Sequence, residues 1–355
     1  MRKRLVAYFE EILSTRIVEQ LLTAVFYGIL LWASYHYLFE VRPWLENLSF
    51  DYPATLTMLP ADPHVYWKFS GFMDWKDLQI NLYGPYFVLK LFGCNPDLVF
   101  TFNLLLLLGA LYYFAQAVQK SFFAVSCLVL LNPIILSQVF YPNKEIYMLV
   151  SSFLLLTSEK LENKNLLCCG LFVAFFAKIE FILVVLFWVF ARRYSTRIYY
   201  VIVSLILVVI SIGYSMIPGM SGKLTVLGAA EQFKNFGFTA VLQYLAEKYH
   251  LFFLVVIPRV AISMLEGVIN FIRVPSSFSE GFHTIISSFV MSTLFLLVLF
   301  RTRFNRLSSE YLFLALWLIA VGTVPFALHR YMIPIYPFLF SILLSPKLTN
   351  ETVNE

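Results

Sequence analysis

Residues 17–39 read IVEQLLTAVFYGILLWASYHYLF, and residues 40–77 then read EVRPWLENLSFDYPATLTMLPADPHVYWKFSGFMDWKD. The first stretch is apolar apart from Glu19 and Gln20 near its start and His36 near its end, and a helix that crosses a bilayer needs about 20 such residues. The second stretch is polar and acid-rich, with Glu40, Glu46, Asp51, Asp62, Asp74 and Asp77 set among aromatic residues and prolines. A membrane span followed at once by an acidic loop held near the membrane surface is the organisation this contrast predicts.

Composition extends the same expectation to the whole chain. Hydrophobic residues make up 60% and charged residues 13%, with a mean hydropathy of +0.78, whereas a soluble domain carries about 25% charge. Most of the surface must then face lipid, and 355 residues leave room for about ten spans. The expected fold class is all-α: a polytopic transmembrane helical bundle with interfacial helices in its outer loops, forming one integral domain over 1–348 with a short tail at 349–355. The 37 Phe, 21 Tyr and 6 Trp suit lipid contact and interfacial belts. No nucleic-acid partner is expected, because the basic residues behind the net charge of +5 are scattered or sit at span ends. Cys94, Cys127, Cys168 and Cys169 have neither metal-site spacing nor the pattern of a disulfide framework.

Positive clusters orient the spans. Arg2, Lys3 and Arg4 place the N-terminus in the cytoplasm; residues 4–15 form an interfacial amphipathic helix, 17–39 an uncleaved span, and 40–95 a first outer loop. Within that loop, 81–93 is expected to lie in the interface. Residues 96–119 return inward, 122–141 go out with a kink at Asn132-Pro133, and 145–157 come back to the charged turn at 159–164. Residues 166–190 are long enough for one span, but Arg192, Arg193 and Arg197 belong inside. Two shortened helices, 166–177 and 181–191, meeting at Lys178-Ile179-Glu180, resolve that conflict. Residues 198–217 then go out, and 218–275 form a second outer region. Residues 287–300 return to Arg301, Arg303 and Arg306, 311–328 go out, and 332–344 return to a cytoplasmic tail.

The candidate chemistry gathers on the outer side. In the first loop Pro63 suits a first helical turn with Asp62 as its cap, which puts Asp62 and Tyr66 on one helix face. Asp62 either caps that helix only or also takes a proton from an acceptor hydroxyl. Asn143 and Glu145 can serve the start of a helix as cap and as favourable charge; alternatively Lys144 faces inward and binds phosphate. Lys178 and Glu180 lie within an apolar run, where a charge costs about 2.5–3.5 kcal/mol and is usually functional. Two apart on a helix they do not face each other, so they flank a break or pair with other segments. Arg259 and Arg273 sit in the second outer region. His329, Arg330 and Tyr331 open the last span, where Arg330 either snorkels or grips a lipid phosphate with its guanidinium fork.

In these features the chain resembles the GT-C superfamily of membrane glycosyltransferases. Asp62-Pro63-His64-Val65-Tyr66 is similar to the acidic motif of their first outer loop, with Pro63 in place of the usual second acid. Lys178-Ile179-Glu180 is similar to their basic–x–Glu break between two short apolar runs, and His329-Arg330-Tyr331 with Pro334 to the start of a late span. The resemblance implies transfer of a sugar from a polyprenyl-phosphate-linked donor to a glycan or lipid-linked acceptor, at the outer face of the inner membrane, in surface polysaccharide synthesis. It implies Asp62 as base with Asp51 in reserve. Tyr66, Lys144, Glu145, Lys178, Glu180, Arg259, Arg273, His329, Arg330 and Tyr331 are then the substrate-binding candidates. No cofactor is expected; help from a divalent metal stays open, although the missing second acid weakens it. Two rivals remain: a polymerase of lipid-linked repeat units, and a flippase for a lipid-linked sugar.

Overall fold

The computed structural model describes residues 16–46, 83–141, 143–192, 194, 196–213, 256–258, 260–265, 278–301, 309–322 and 329–344. Every regular element among them is helical, so the fold is all-α. Among the described residues two helices are long and apolar enough to cross a membrane, Ile17–Val41 and Pro96–Ala117; shorter apolar helices include Ile285–Phe300, Ser309–Gly322 and Arg330–Leu344. The amphipathic helix expected over 4–15 lies outside the described residues. Packing divides the chain into two compact units, Met1–Lys178 with Ser341–Glu355, and Ile179–Phe340.

In the first unit, α1 (Arg16–His36) runs into a π-helical turn, Tyr37–Val41, and then α2 (Arg42–Glu46). A π turn places one more residue in the turn than an α-helix does, and such turns often mark functional sites. Here the turn carries the polar end of the first long apolar helix. Tyr37 stacks on Phe100 at 4.1 Å and donates to Asp97 Oδ1 at 2.9 Å, and Arg42 lies 3.4 Å from the other oxygen of Asp97. Asp97 is held in place by its own helix start. In α4 (Pro96–Ala117), Asn95 caps the backbone N–H groups of Asp97 and Leu98 at 2.9 and 3.2 Å, with Pro96 in the first turn, the pairing that satisfies otherwise orphaned donors.

The kink expected at Asn132-Pro133 is a full break. Helix α5 (Phe122–Leu130) ends and α6 (Pro133–Ser137) begins anew, capped by Asn132 through Ile134 N at 3.2 Å. Proline lacks a backbone donor and disfavours the helical conformation of the residue before it. Helix α7 (Lys144–Lys160) follows and is the buried axis of the unit, with every residue from Lys144 to Ser158 shielded. It packs closely on α8 (Lys164–Ala174): Ser151 Oγ donates to the Gly170 carbonyl at 2.8 Å, and a Cβ on Gly170 would come within 3.0 Å of Leu155.

The chain leaves helical geometry after Ala174 and resumes it in α9 (Ile179–Ala191). The break expected at Lys178-Ile179-Glu180 therefore exists, placed a few residues earlier. Helix α3 (Tyr83–Leu91) occupies the segment expected to lie in the interface. Its Gly84 rests on the Phe176 backbone so closely that a Cβ would overlap the Phe176 carbonyl. Gly84→Ala is accordingly expected to destabilise the protein by about 1–3 kcal/mol, as overpacking does. Gly109→Ala, in the middle of α4 with open space around it, should be neutral or stabilise by up to about 1 kcal/mol. Thermal unfolding of the two variants in detergent checks the difference in sign.

The second unit is organised around aromatic rings. Besides α9 it contains α10 (Thr196–Gly213), helical residues at 256–258 and 260–265, α11 (Phe278–Arg301), α12 (Ser309–Gly322), a 3₁₀ segment at His329–Ile335, and the start of α13 (Tyr336–Leu344). Phe313 stacks on Phe338 at 3.8 Å, and the fully buried Trp188 meets both edge-on. Indole N–H groups buried in such a core need acceptors. Trp188 donates to the Ser309 carbonyl at 2.8 Å and Trp317 to the Tyr331 carbonyl at 2.7 Å. Both acceptors sit where a helical segment starts or turns, so the rings fix the segment ends as well as fill the core.

Candidate functional site

A buried polar cluster forms where the chain enters α7. Asn143 precedes the helix in extended geometry, φ −129° and ψ 140°, the position from which Asn normally caps. Its side chain makes no cap bond. Instead Asn143 Nδ2 donates to Gln138 Oε1 at 2.5 Å. The direction follows from the next link: Gln138 Nε2 donates to the Ile134 carbonyl at 3.1 Å and to Ser137 Oγ at 3.2 Å, so Gln138 has only its oxygen to offer. Asn143 must present its NH₂, and its Oδ1 is left without a donor among the described residues.

Two residues on, Glu145 is completely buried, and Lys178 Nζ lies 3.9 Å from its Oε1, with the lysine side chain 12% exposed. That separation is an ion pair but exceeds hydrogen-bond length. Neither oxygen of Glu145 has a hydrogen-bond donor among the described residues. Lys144, between Asn143 and Glu145, is also buried. One carboxylate and two ammonium groups are thus withdrawn from solvent around the start of α7, where the helix N-terminus adds partial positive charge. Desolvating such groups is costly.

A second layer supports this entry to the helix. Asn103, fully buried in α4, donates to the carbonyls of Val139 and Tyr141 at 3.2 and 2.8 Å. Tyr147 OH donates to Asn103 Oδ1 at 3.4 Å. Backbone carbonyls left open between α6 and α7 are thereby satisfied from a neighbouring helix, as buried backbone groups require.

Of the residues singled out from sequence, the structure brings together Glu145 and Lys178, while Lys144 is buried one residue before Glu145. The expectation that Lys178 either flanks a break or pairs with another segment resolves as both. Glu180 is exposed in the first turn of α9, in the second unit. In the same unit His329, Arg330 and Tyr331 lie on the 3₁₀ segment. Arg330 is half-buried, with its guanidinium 5.5 Å from the Tyr331 ring centre. Asp51, Asp62, Tyr66, Arg259 and Arg273 lie outside the described residues. Gln138, Asn103 and Tyr147 were not anticipated. The available signal was a polar side chain inside an apolar run, the property that drew attention to Lys178.

No protein-family model, curated protein or solved structure matches this chain.

Proposed function

We propose that this chain is a polytopic inner-membrane glycosyltransferase of about ten spans, with cytoplasmic termini and its site open to the outer leaflet. It takes a sugar from a polyprenyl-phosphate-linked donor and passes it to a glycan or lipid-linked acceptor. The observation that carries the proposal is the Glu145–Lys178 ion pair at the start of a helix whose first residue, Lys144, is also buried. Two ammonium groups and one carboxylate sum to a single positive charge, the complement of the single negative charge on a phosphodiester. A diphosphate-linked repeat unit, as a polymerase would use, brings more negative charge than that grouping neutralises. The long apolar helices and the exposed rows of Leu, Phe, Tyr and Trp on α1 and the π turn after it, such as Leu31, Trp32, Tyr35 and Phe39, support a lipid-facing surface.

In the proposed step the acceptor hydroxyl oxygen attacks the anomeric carbon and forms the new C–O bond. The bond from that carbon to the phosphate oxygen breaks, and its electron pair stays on the phosphate. The hydroxyl proton passes to a carboxylate, assigned to Asp62 with Asp51 in reserve. Lys144 and Lys178 hold the phosphate and stabilise its growing charge, the kind of preorganised electrostatics that dominates such catalysis. A phosphate leaves readily, so no strong general acid is needed.

The test is transfer by purified protein in proteoliposomes, supplied with prenyl phosphates carrying radiolabelled hexoses or pentoses and an extracted lipid-linked glycan fraction. One sugar added per acceptor is the expected product. A ladder of chain lengths would replace the proposal with the polymerase reading. Labelled lipid crossing the bilayer chemically unchanged would replace it with the flippase reading.

A further inference from the structure

The cluster at the start of α7 holds three acceptor oxygens, Asn143 Oδ1 and both carboxylate oxygens of Glu145, that are buried and lack a hydrogen-bond donor among the described residues. Native proteins rarely leave such groups unmatched. The orientation of Asn143 is dictated by Gln138, so its oxygen cannot be exchanged for a donor without breaking that chain of bonds. Lys178 balances the charge of Glu145 from 3.9 Å yet leaves the carboxylate lone pairs open. A phosphate cannot fill this need, because it brings only more acceptors. A metal cation would face the ammonium group of Lys178. Neutral, closely spaced O–H donors fit, and a sugar ring supplies them beside its own phosphate.

We propose that Glu145, aided by Asn143, accepts hydrogen bonds from ring hydroxyls of the donor sugar and so determines which sugar is taken, while Lys144 and Lys178 hold the phosphate. This rests on the glycosyltransferase reading and divides its site into a sugar-reading part and a phosphate-holding part. Glu145→Gln separates them, because the substitution is nearly isosteric, weakens the acceptor and removes a negative charge from beside Lys178.

The probes are a short-chain prenyl phosphate, the same lipid carrying glucose, mannose, galactose or arabinose, and the ring-deoxy forms of whichever sugar binds best, each measured by direct binding in detergent. Glu145→Gln is expected to bind the bare lipid phosphate as tightly as wild type or more tightly. It should bind the best sugar-bearing lipid about tenfold or more weakly, because a site built to hydrogen-bond a substrate hydroxyl discriminates strongly when that bond is lost. The wild type should itself lose about tenfold or more against at least one deoxy form, and the variant should level that preference; the wild-type series requires no folded variant. An equal loss for bare and sugar-bearing lipids would assign Glu145 to positioning Lys178 and overturn the inference. Unchanged binding of both, or a wild type indifferent to every deoxy form, would overturn it too. If the wild type bound none of the sugar-bearing lipids and transferred none, the underlying reading of function would fall with it.

Discussion

Lys178→Met is expected to cost about 3–5 kcal/mol of stability, the penalty for removing one partner of a buried ion pair. Lys178 is the cation found beside the fully buried Glu145, and the carboxylate has no donor of its own among the described residues. Without the ammonium group the carboxylate is left buried without its compensating charge, which disturbs the approach to α7. The reverse change should cost less. Lys178 retains some exposure, and a lysine left unpaired can extend its flexible stem toward water, so Glu145→Leu should be the milder single change. Joining the two, Lys178→Met with Glu145→Leu, should recover most of the loss, since replacing a whole buried pair by apolar residues is often neutral or better. Thermal unfolding in detergent reads the three variants, with an expected fall on the order of 10 °C for Lys178→Met. If the double variant were as unstable as the sum of the singles, the two side chains would not be coupled.

That coupling marks where sequence reading stops. Local signals were legible: Pro133 ended a helix, and the stretch around Lys178 interrupted an apolar run, because proline sterics and intramembrane charge act over a few residues. A helix beginning at Pro96 and a helical segment within 81–93 were likewise readable, although the Asn95 cap was not. The partner of Lys178 was not, since nothing local links it to Glu145 across a helix, a turn and a second helix. Asn143 shows the limit from the other side. Its position and geometry are those of a cap, and propensity alone favours that role. Gln138 is buried beside it and needs a donor for its oxygen, and this tertiary demand takes the Asn143 amide away from the helix end. The pairing of Tyr37 and Arg42 with Asp97 was hidden for the same reason.

The second large effect is catalytic. Asp62→Asn should lower the rate of sugar transfer by about 10²- to 10⁴-fold, the usual contribution of a positioned general base. The chemistry requires it: the leaving phosphate takes its electron pair without a general acid, so the main barrier left to be lowered is the weak nucleophilicity of a neutral hydroxyl. Asparagine keeps the shape and any helix-capping bond of Asp62 but cannot take the proton. A residue that only capped its helix would tolerate this change, and transfer would stay near wild type. The loss should appear in kcat with KM for the lipid donor unchanged, because the base contacts the acceptor and acts in the transition state. Lys144→Gln should raise KM for the donor through weaker phosphate binding and also lower kcat, because the same ammonium group stabilises the leaving charge. Asp51→Asn tests the reserve: if it lowers kcat while Asp62→Asn does not, the roles are exchanged. A protein with both aspartates replaced that still transferred sugar at the wild-type rate would place the base elsewhere, with Glu145, already buried beside Lys178, the next carboxylate to replace.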